Sequence, residues 1–363
     1  PHYILGVTTP EYYEKYLISE ETAPGVYSVI DTENGQLIGK ASYMRNNTPA
    51  DEVEKLAYLW HSFFSVNESF TGGTYNRPNK VQFDQHVPAG AAVALGGYVY
   101  ACPTDWYNAA TNYRHMLNYG SWGILHEIGH NHGGAYGSIW GMGGSQEGEV
   151  RNNALTCLAY LKFCDLGTWR NEDGVISAEH GDVGHPYSAM VRLKNIMNKT
   201  HADFNNLDYF DALNIYVNIM HSFGVDKFYE FMRTYKDNPS FNPVVNNQAV
   251  GNKRSDFIYR LSTVYKMDFR PYVDGIFKGN TTAAMYSAEQ IAEMDALPKY
   301  YPVSNVYAGG IDGVKTGGDY RIGYGIDKVF DLKSTTITTA ESFEILGFEQ
   351  PEHGTLTDEG DGK

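Results

Sequence analysis

Residues 123–134 read Gly-Ile-Leu-His-Glu-Ile-Gly-His-Asn-His-Gly-Gly, with three histidines and a glutamate inside seven residues. His126 and His130 are four apart. On an α-helix that spacing puts both imidazoles on one face, where they can ligate one ion. Glu127 follows the first histidine and projects beside such an ion. There it can take a proton from attacking water and pass it to a leaving amine. Zinc, one per chain, is the expected metal, because it suits neutral imidazole and carboxylate and lowers the pKa of water toward about 7.

An H-E-x-x-H pattern arises by chance in about one chain in a hundred of this length, so a third ligand is needed. The segment Gly-Gly-Ser-Gln-Glu-Gly-Glu-Val-Arg-Asn-Asn, residues 143–153, offers Glu147 and Glu149 at the start of a helix. The apolar face of that helix is Val150, Ala154, Cys157, Leu158 and Leu161. Residues two apart on a helix point in different directions, so one carboxylate ligates and the other does not. Eighteen residues lie between His130 and Glu149, the two-helix layout of zinc peptidases whose third ligand is a glutamate. Glu149 is the expected ligand, with Glu147 open as the alternative. Asn153 shares a helix face with Glu149 and is expected to orient it from behind. His132 faces away from the ion and suits the negative end of the helix dipole; a substrate contact is its other reading.

These side chains need elements to hold them. Tyr119-Gly120-Ser121 provides a turn and a cap, Trp122, Ile124 and Leu125 pack, and Gly133-Gly134 ends the helix. Gly129 lets another backbone or a substrate come close. Residues 1–50 read as short strands and turns, with a few helical residues near Glu11–Leu17. A helix follows, with Val53, Leu56, Leu59, Trp60 and Phe63 at helical spacing. Residues 81–88 and 91–101 are apolar or alternating and bounded by Pro and Gly, as strands are. Beyond about residue 110 the spacing predicts helices over 116–132, 146–165, 187–198, 207–222, 224–236, 252–265 and 285–295. The class is therefore α+β. One domain is expected over 1–302, mixed and β-rich to 110 and mainly helical from 111. A β-rich extension, or the beginning of an accessory module, is expected over 303–363. Residues 91–101 are the candidate edge strand for an extended peptide, with Gly97 and Tyr98 as substrate contacts; a buried hairpin is the competing expectation. His185 and Tyr187 are candidate donors to the oxyanion. Trp106, Trp122 and Trp140 flank the motif and either stack on sugar rings or pack in the core.

Composition narrows the function classes. The chain of 363 residues carries 28 Lys and Arg against 43 Asp and Glu, a formal charge of -15. Such a surface repels phosphate backbones and anionic membranes, so nucleic acid and membrane insertion are excluded as expectations. The 29 tyrosines and 38 glycines fit a secreted protein that handles carbohydrate. Cys102, Cys157 and Cys164 form no C-x-x-C pair and no disulfide framework. The chain opens Pro-His-Tyr-Ile-Leu-Gly-Val, without Met or a basic segment, as expected of a mature product or a piece of a longer chain.

The pattern His-Glu-x-Gly-His, a spacer, then Gly-Glu-Val-x-x-Asn resembles the enhancin-like zinc peptidases, which include bacterial mucin-degrading enzymes. The match lies at His126, Glu127, Gly129, His130, Gly148, Glu149, Val150 and Asn153. Residues 87–103 are similar to the Gly-Tyr strand that precedes the active helix in that family, and the likeness extends over about 50–300. The resemblance implies a gluzincin fold, a secreted or cell-surface location, and glycoprotein substrates cut next to O-glycosylated Ser or Thr. It implies zinc held by His126, His130 and Glu149, with Glu127 as base and then acid, in an enzyme expected to act as a monomer. Two alternatives stay open: a glycan-binding or adhesive module with a structural metal site, and a zinc aminopeptidase. The aminopeptidase is disfavoured because its Gly-x-Met-Glu-Asn and Asn-Glu-Gly-Phe-Ala segments are absent from the chain.

Overall fold

The computed structural model describes residues 1–71, 79–83, 91–95, 98–101, 104–132, 146–164, 204–237, 250–277, 286–300, 314–315 and 337–338. The chain divides into two compact units. One comprises 1–140, 146–184 and 232–239; the other comprises 141–145, 185–231 and 240–363.

The first unit is built on a six-stranded mixed sheet in the order β1-β2-β3-β4-β6-β5. The strands are β1 His2–Ile4, β2 Tyr27–Thr32, β3 Gly35–Lys40, β4 Asn79–Phe83, β5 Ala92–Leu95 and β6 Tyr98–Ala101. The register aligns Tyr3, Ile30, Leu37, Val81 and Val99 as successive cross-strand neighbours. All five are buried, so one row of apolar side chains runs across the sheet and defines its inner face. Alternation then turns Asp31, Gln36, Lys80 and Tyr98 to the other face. Among the described residues, β5 pairs antiparallel with β6 alone. Within 91–101, β5 is thus the outer strand of the described sheet and β6, with Tyr98, is interior.

Helices cover the inner face. After α1 Pro10–Tyr12, a π-helical turn over Tyr13–Leu17, and α2 Ala41–Asn47, the long helix α3 spans Ala50–Thr71. Its Val53, Leu56, Ala57, Trp60, Phe63 and Phe64 are buried, and the Phe64 ring lies against the backbone of Gly35 at the start of β3. The Trp60 indole N–H donates to the Ala110 carbonyl at 2.9 Å, tying α3 to α4 Thr104–Ala110. Beyond α4 come α5 Tyr113–Tyr119, α6 Trp122–His132 and α7 Glu147–Phe163. α3 packs on α5, α6 and α7 as well as on the sheet. It is the element on which the remaining helices of this unit rest.

The helical segment expected over 116–132 is two helices, which part at the turn expected over Tyr119-Gly120-Ser121. Gly120 has φ 65°, a conformation that breaks the helix and that a side chain would oppose. A Cβ at this position would also fall 2.2 Å from the Tyr160 ring of α7. The break re-aims the chain so that α6 starts in a new direction. Cys157 and Cys164 are both buried.

In the second unit, α8 Tyr209–Phe223, α10 Val250–Tyr265, α11 Arg270–Phe277 and α12 Ala288–Asp295 are described, together with α9 Val225–Asp237, which belongs to this unit as far as Phe231. Tyr216, Phe231 and Phe257 meet edge to face. Within α10 the Arg260 guanidinium donates to Asp256 at 2.8 Å, both side chains fully buried. Helix α11 was not among the expected helices, and it carries Pro271 in its first turn. There proline removes only an N–H that has no helical partner, and the Asp268 carboxylate accepts from the Arg270 backbone N–H at 3.0 Å. The expected helix 187–198 and the boundary near 302 lie outside the described residues. Within 303–363, β7 Val314–Lys315 pairs antiparallel with β8 Ile337–Thr338. Among the described residues no helix is long and apolar enough to cross a membrane.

Replacing Gly120 by Ala combines an unfavourable φ with a clash against Tyr160. The expected cost is about 1–3 kcal/mol, read as a lower denaturant midpoint. An unchanged midpoint would mean that the turn does not need glycine.

Candidate metal centre

Helices α6 and α7 cross close to each other, and residue 129 decides how close. A Cβ on Gly129 would sit 3.3 Å from both Cα and Cβ of Asn152 on α7, tighter than ordinary van der Waals contact. With hydrogen there instead, the helix carrying His126 and His130 lies directly against the helix carrying Glu149 and Asn153. The expected close approach at Gly129 is therefore to a backbone.

Side chains from the two helices converge. Glu149 Oε2 lies 3.0 Å from His126 Nε2 and 3.5 Å from His130 Nε2. The donor atoms of His126, His130 and Glu149 all fall within 4.8 Å of one another. The imidazoles meet edge to face, 4.9 Å between centroids. Exposure is graded: the His126 side chain is 17% exposed, His130 34% and Glu149 46%. One ligand is thus embedded and two border solvent.

Asn153 fixes the protonation of this group. Its Oδ1 lies 2.7 Å from His126 Nδ1. An amide oxygen only accepts, so Nδ1 carries the proton and, in the neutral ring, Nε2 presents a lone pair. That lone pair faces a carboxylate oxygen at 3.0 Å. Two acceptors at this distance repel unless a second proton or a cation lies between them. A divalent ion with bonds of about 2.0–2.1 Å needs tetrahedral ligands about 3.3 Å apart, and the two separations from Glu149 bracket that value. The donor set of two imidazoles and one carboxylate therefore fits a zinc-type ion by chemistry and by spacing. Asn153, expected to orient Glu149, has its side-chain oxygen on His126 of the facing helix.

Other expected site residues fall as follows. Glu127 is half-buried on α6, between the two histidines. Glu147 is buried at 2% exposure and is not in the converging group. Tyr98 stacks on Tyr100, with the Lys80 ammonium 5.4 Å from its ring centroid. Its backbone carbonyl accepts from the Asn131 amide on α6 at 3.2 Å, a link the sequence reading did not find. Trp106 packs on Gly123 and Trp122 meets Tyr160 edge to face, so both rings help to seat α6. Gly97, Trp140, His185, Tyr187 and the side chain of His132 lie outside the described residues.

Residues 1–275 match the family described as peptidase M60, enhancin and enhancin-like. Antigenic protein P1 of Entamoeba histolytica is 30% identical over 348 residues, covering 94% of this chain and 29% of that protein. The chain thus spans under a third of that curated relative. A conserved Bacillus anthracis protein of unknown function superposes with a TM-score of 0.59 at 17% identity, over 82% of this chain and 57% of that one. The M60 catalytic domain of ZmpC from Clostridium perfringens, in complex with the sialyl T antigen, gives 0.50 at 14% identity, over 82% and 56%. At these identities the structural likenesses establish the α+β fold.

Removing the Asn153 carboxamide leaves the His126 ring free to rotate and its Nδ1–H without an acceptor. Asn153→Ala is expected to weaken divalent metal binding about 10–100-fold, measured by competition against a chelating indicator. Parental affinity would show that the hydrogen bond does not orient the ligand.

Proposed function

Because the chain belongs to the peptidase M60 family, enhancin and enhancin-like, a family of metallopeptidases, we propose that it is a zinc endopeptidase acting outside the cell on mucin-type O-glycosylated proteins. The observation that carries this reading is the convergence of His126, His130 and Glu149 on one point, with Glu127 on the same helix as the histidines.

His126 and His130 offer Nε2, Glu149 offers a carboxylate oxygen, and Asn153 holds His126 in the tautomer that can ligate. When bound, zinc supplies Lewis acidity, polarising the scissile carbonyl and making water a nucleophile near neutral pH. Glu127 takes the proton that water loses on attack, then delivers it to the departing amine. The outer position of β5 in the described sheet supports an endopeptidase. An extended peptide can add to it by backbone hydrogen bonds, which tolerate varied side chains. Tyr98, on β6, and Gly97 are assigned to contact that peptide. His185 and Tyr187 are assigned to the oxyanion, on the chemistry of their side chains alone. The glycan preference takes its support from the family and from the sialyl T antigen held by the clostridial domain.

The experiment is mass spectrometry of fragments from a mucin-like glycopeptide, with parent, Glu127→Gln, and parent plus chelator. Parental cleavage is expected to need metal. Glu127→Gln should keep one zinc per chain and lose about 10²–10⁴-fold in kcat. Cleavage that survives chelation, or a Glu127→Gln enzyme as fast as the parent, would remove the mechanism. In a second prediction, His126→Ala and Glu149→Ala each lose zinc while Glu147→Ala retains it. The reverse pattern for the two glutamates, read by metal analysis after dialysis, would reassign the third ligand.

A further inference from the structure

Asn131 directly follows His130, yet it serves a different neighbour. Its amide nitrogen donates to the backbone carbonyl of Tyr98 at 3.2 Å. Tyr98 opens β6 and stands opposite Leu95, the last residue of the outer strand β5. The bond therefore joins the helix bearing two metal-ligand candidates to the strand pair that includes β5.

We propose that Asn131 is a positioning residue that fixes the height of the β5 edge relative to His126 and His130, so that a peptide paired with β5 presents its scissile carbonyl to the metal. The proposal rests on the peptidase reading above and deepens it. α6 packs on both β5 and β6, but apolar packing is non-directional and tolerates sliding. A hydrogen bond is directional and sets one relative position. Because Asn131 and His130 are consecutive in one helix, a shift of Tyr98 against the Asn131 amide is the same shift against the His130 imidazole. The antiparallel ladder carries it from Tyr98 to β5. A displacement of about 1 Å at the reacting carbonyl is enough to cost up to about 100-fold in rate. Peptide pairing with β5 itself does not depend on that height, so binding and turnover should separate.

The test uses zinc-loaded enzyme with Asn131→Ala and Asn131→Asp. The carboxylate of the second variant faces a carbonyl oxygen and repels it. Two substrates are compared: an extended glycopeptide, and a truncated one too short to pair along β5. On the extended substrate kcat is expected to fall about tenfold for the alanine variant and further for the aspartate, with KM within about twofold of parental and zinc content unchanged. On the truncated substrate both variants should match the parent. Equal losses on the two substrates, no loss on either, or loss of zinc would each overturn the positioning role. If the parent cuts neither glycopeptide, the peptidase reading fails instead. Hydrogen exchange then decides the tether by itself. Asn131→Ala should speed exchange of amides in 92–95 and 98–101 and leave α7 protected, and unchanged exchange there would overturn it.

Discussion

Helix α6 lies against α7 at residue 129, where a Cβ would sit 3.3 Å from Asn152. With the two backbones pressed together at Gly129 and Asn152, His126 meets both Asn153 and Glu149 across the same interface. A methyl group at 129 would push the helices apart by a few tenths of an ångström, comparable to the whole tolerance of a metal site in its bond lengths. The glycine between the two histidines is thus a spacing device for the ligands and not a relaxation of the helix.

The crossing has to be held from outside, since two helices in contact at a small residue have little apolar surface to share there. The sheet and α3 do this. The buried row Tyr3, Ile30, Leu37, Val81 and Val99 gives the helices a continuous apolar floor. α3 fills the layer above with Trp60, Phe63 and Phe64 and touches α5, α6 and α7. Gly120 turns the chain between α5 and α6 under the Tyr160 ring, and Trp106 and Trp122 brace the first turn of α6. Large aromatic rings around the start of the metal helix immobilise it at low entropic cost, because each has few rotatable bonds.

Exposure within the site follows its division of labour. His126 is the most covered ligand, and its second nitrogen is tied to Asn153. A ligand whose tautomer must be fixed gains from a water-excluded hydrogen bond. His130 and Glu149 border solvent, on the side from which a substrate must approach. The Glu149 carboxylate lies 3.0 Å from His126 Nε2 and 3.5 Å from His130 Nε2, and two imidazoles with one carboxylate are a donor set that suits a divalent cation.

The grouping of His126, His130 and Glu149 was legible in the chain because the pattern is local. Two histidines four apart fix a shared helix face whatever surrounds them, Glu127 is carried along by adjacency, and the apolar spacing after Glu149 marks a second helix. Strand character within the expected stretches 81–88 and 91–101, seen at 81–83, 92–95 and 98–101, and the α+β class were legible for the same reason, through apolar or alternating runs bounded by Gly and Pro. Tertiary structure decided what depends on two segments meeting. It put the Asn153 side-chain oxygen on His126 of the facing helix. It set the Tyr160 ring against Gly120, at a turn the sequence had already marked, where a side chain would have no room. It made β5 the outer strand of the described sheet and β6 interior, since strand order is set by pairing partners and not by sequence order. It also turned Asn131 toward Tyr98, a hydrogen bond between residues 33 positions apart that no periodicity encodes.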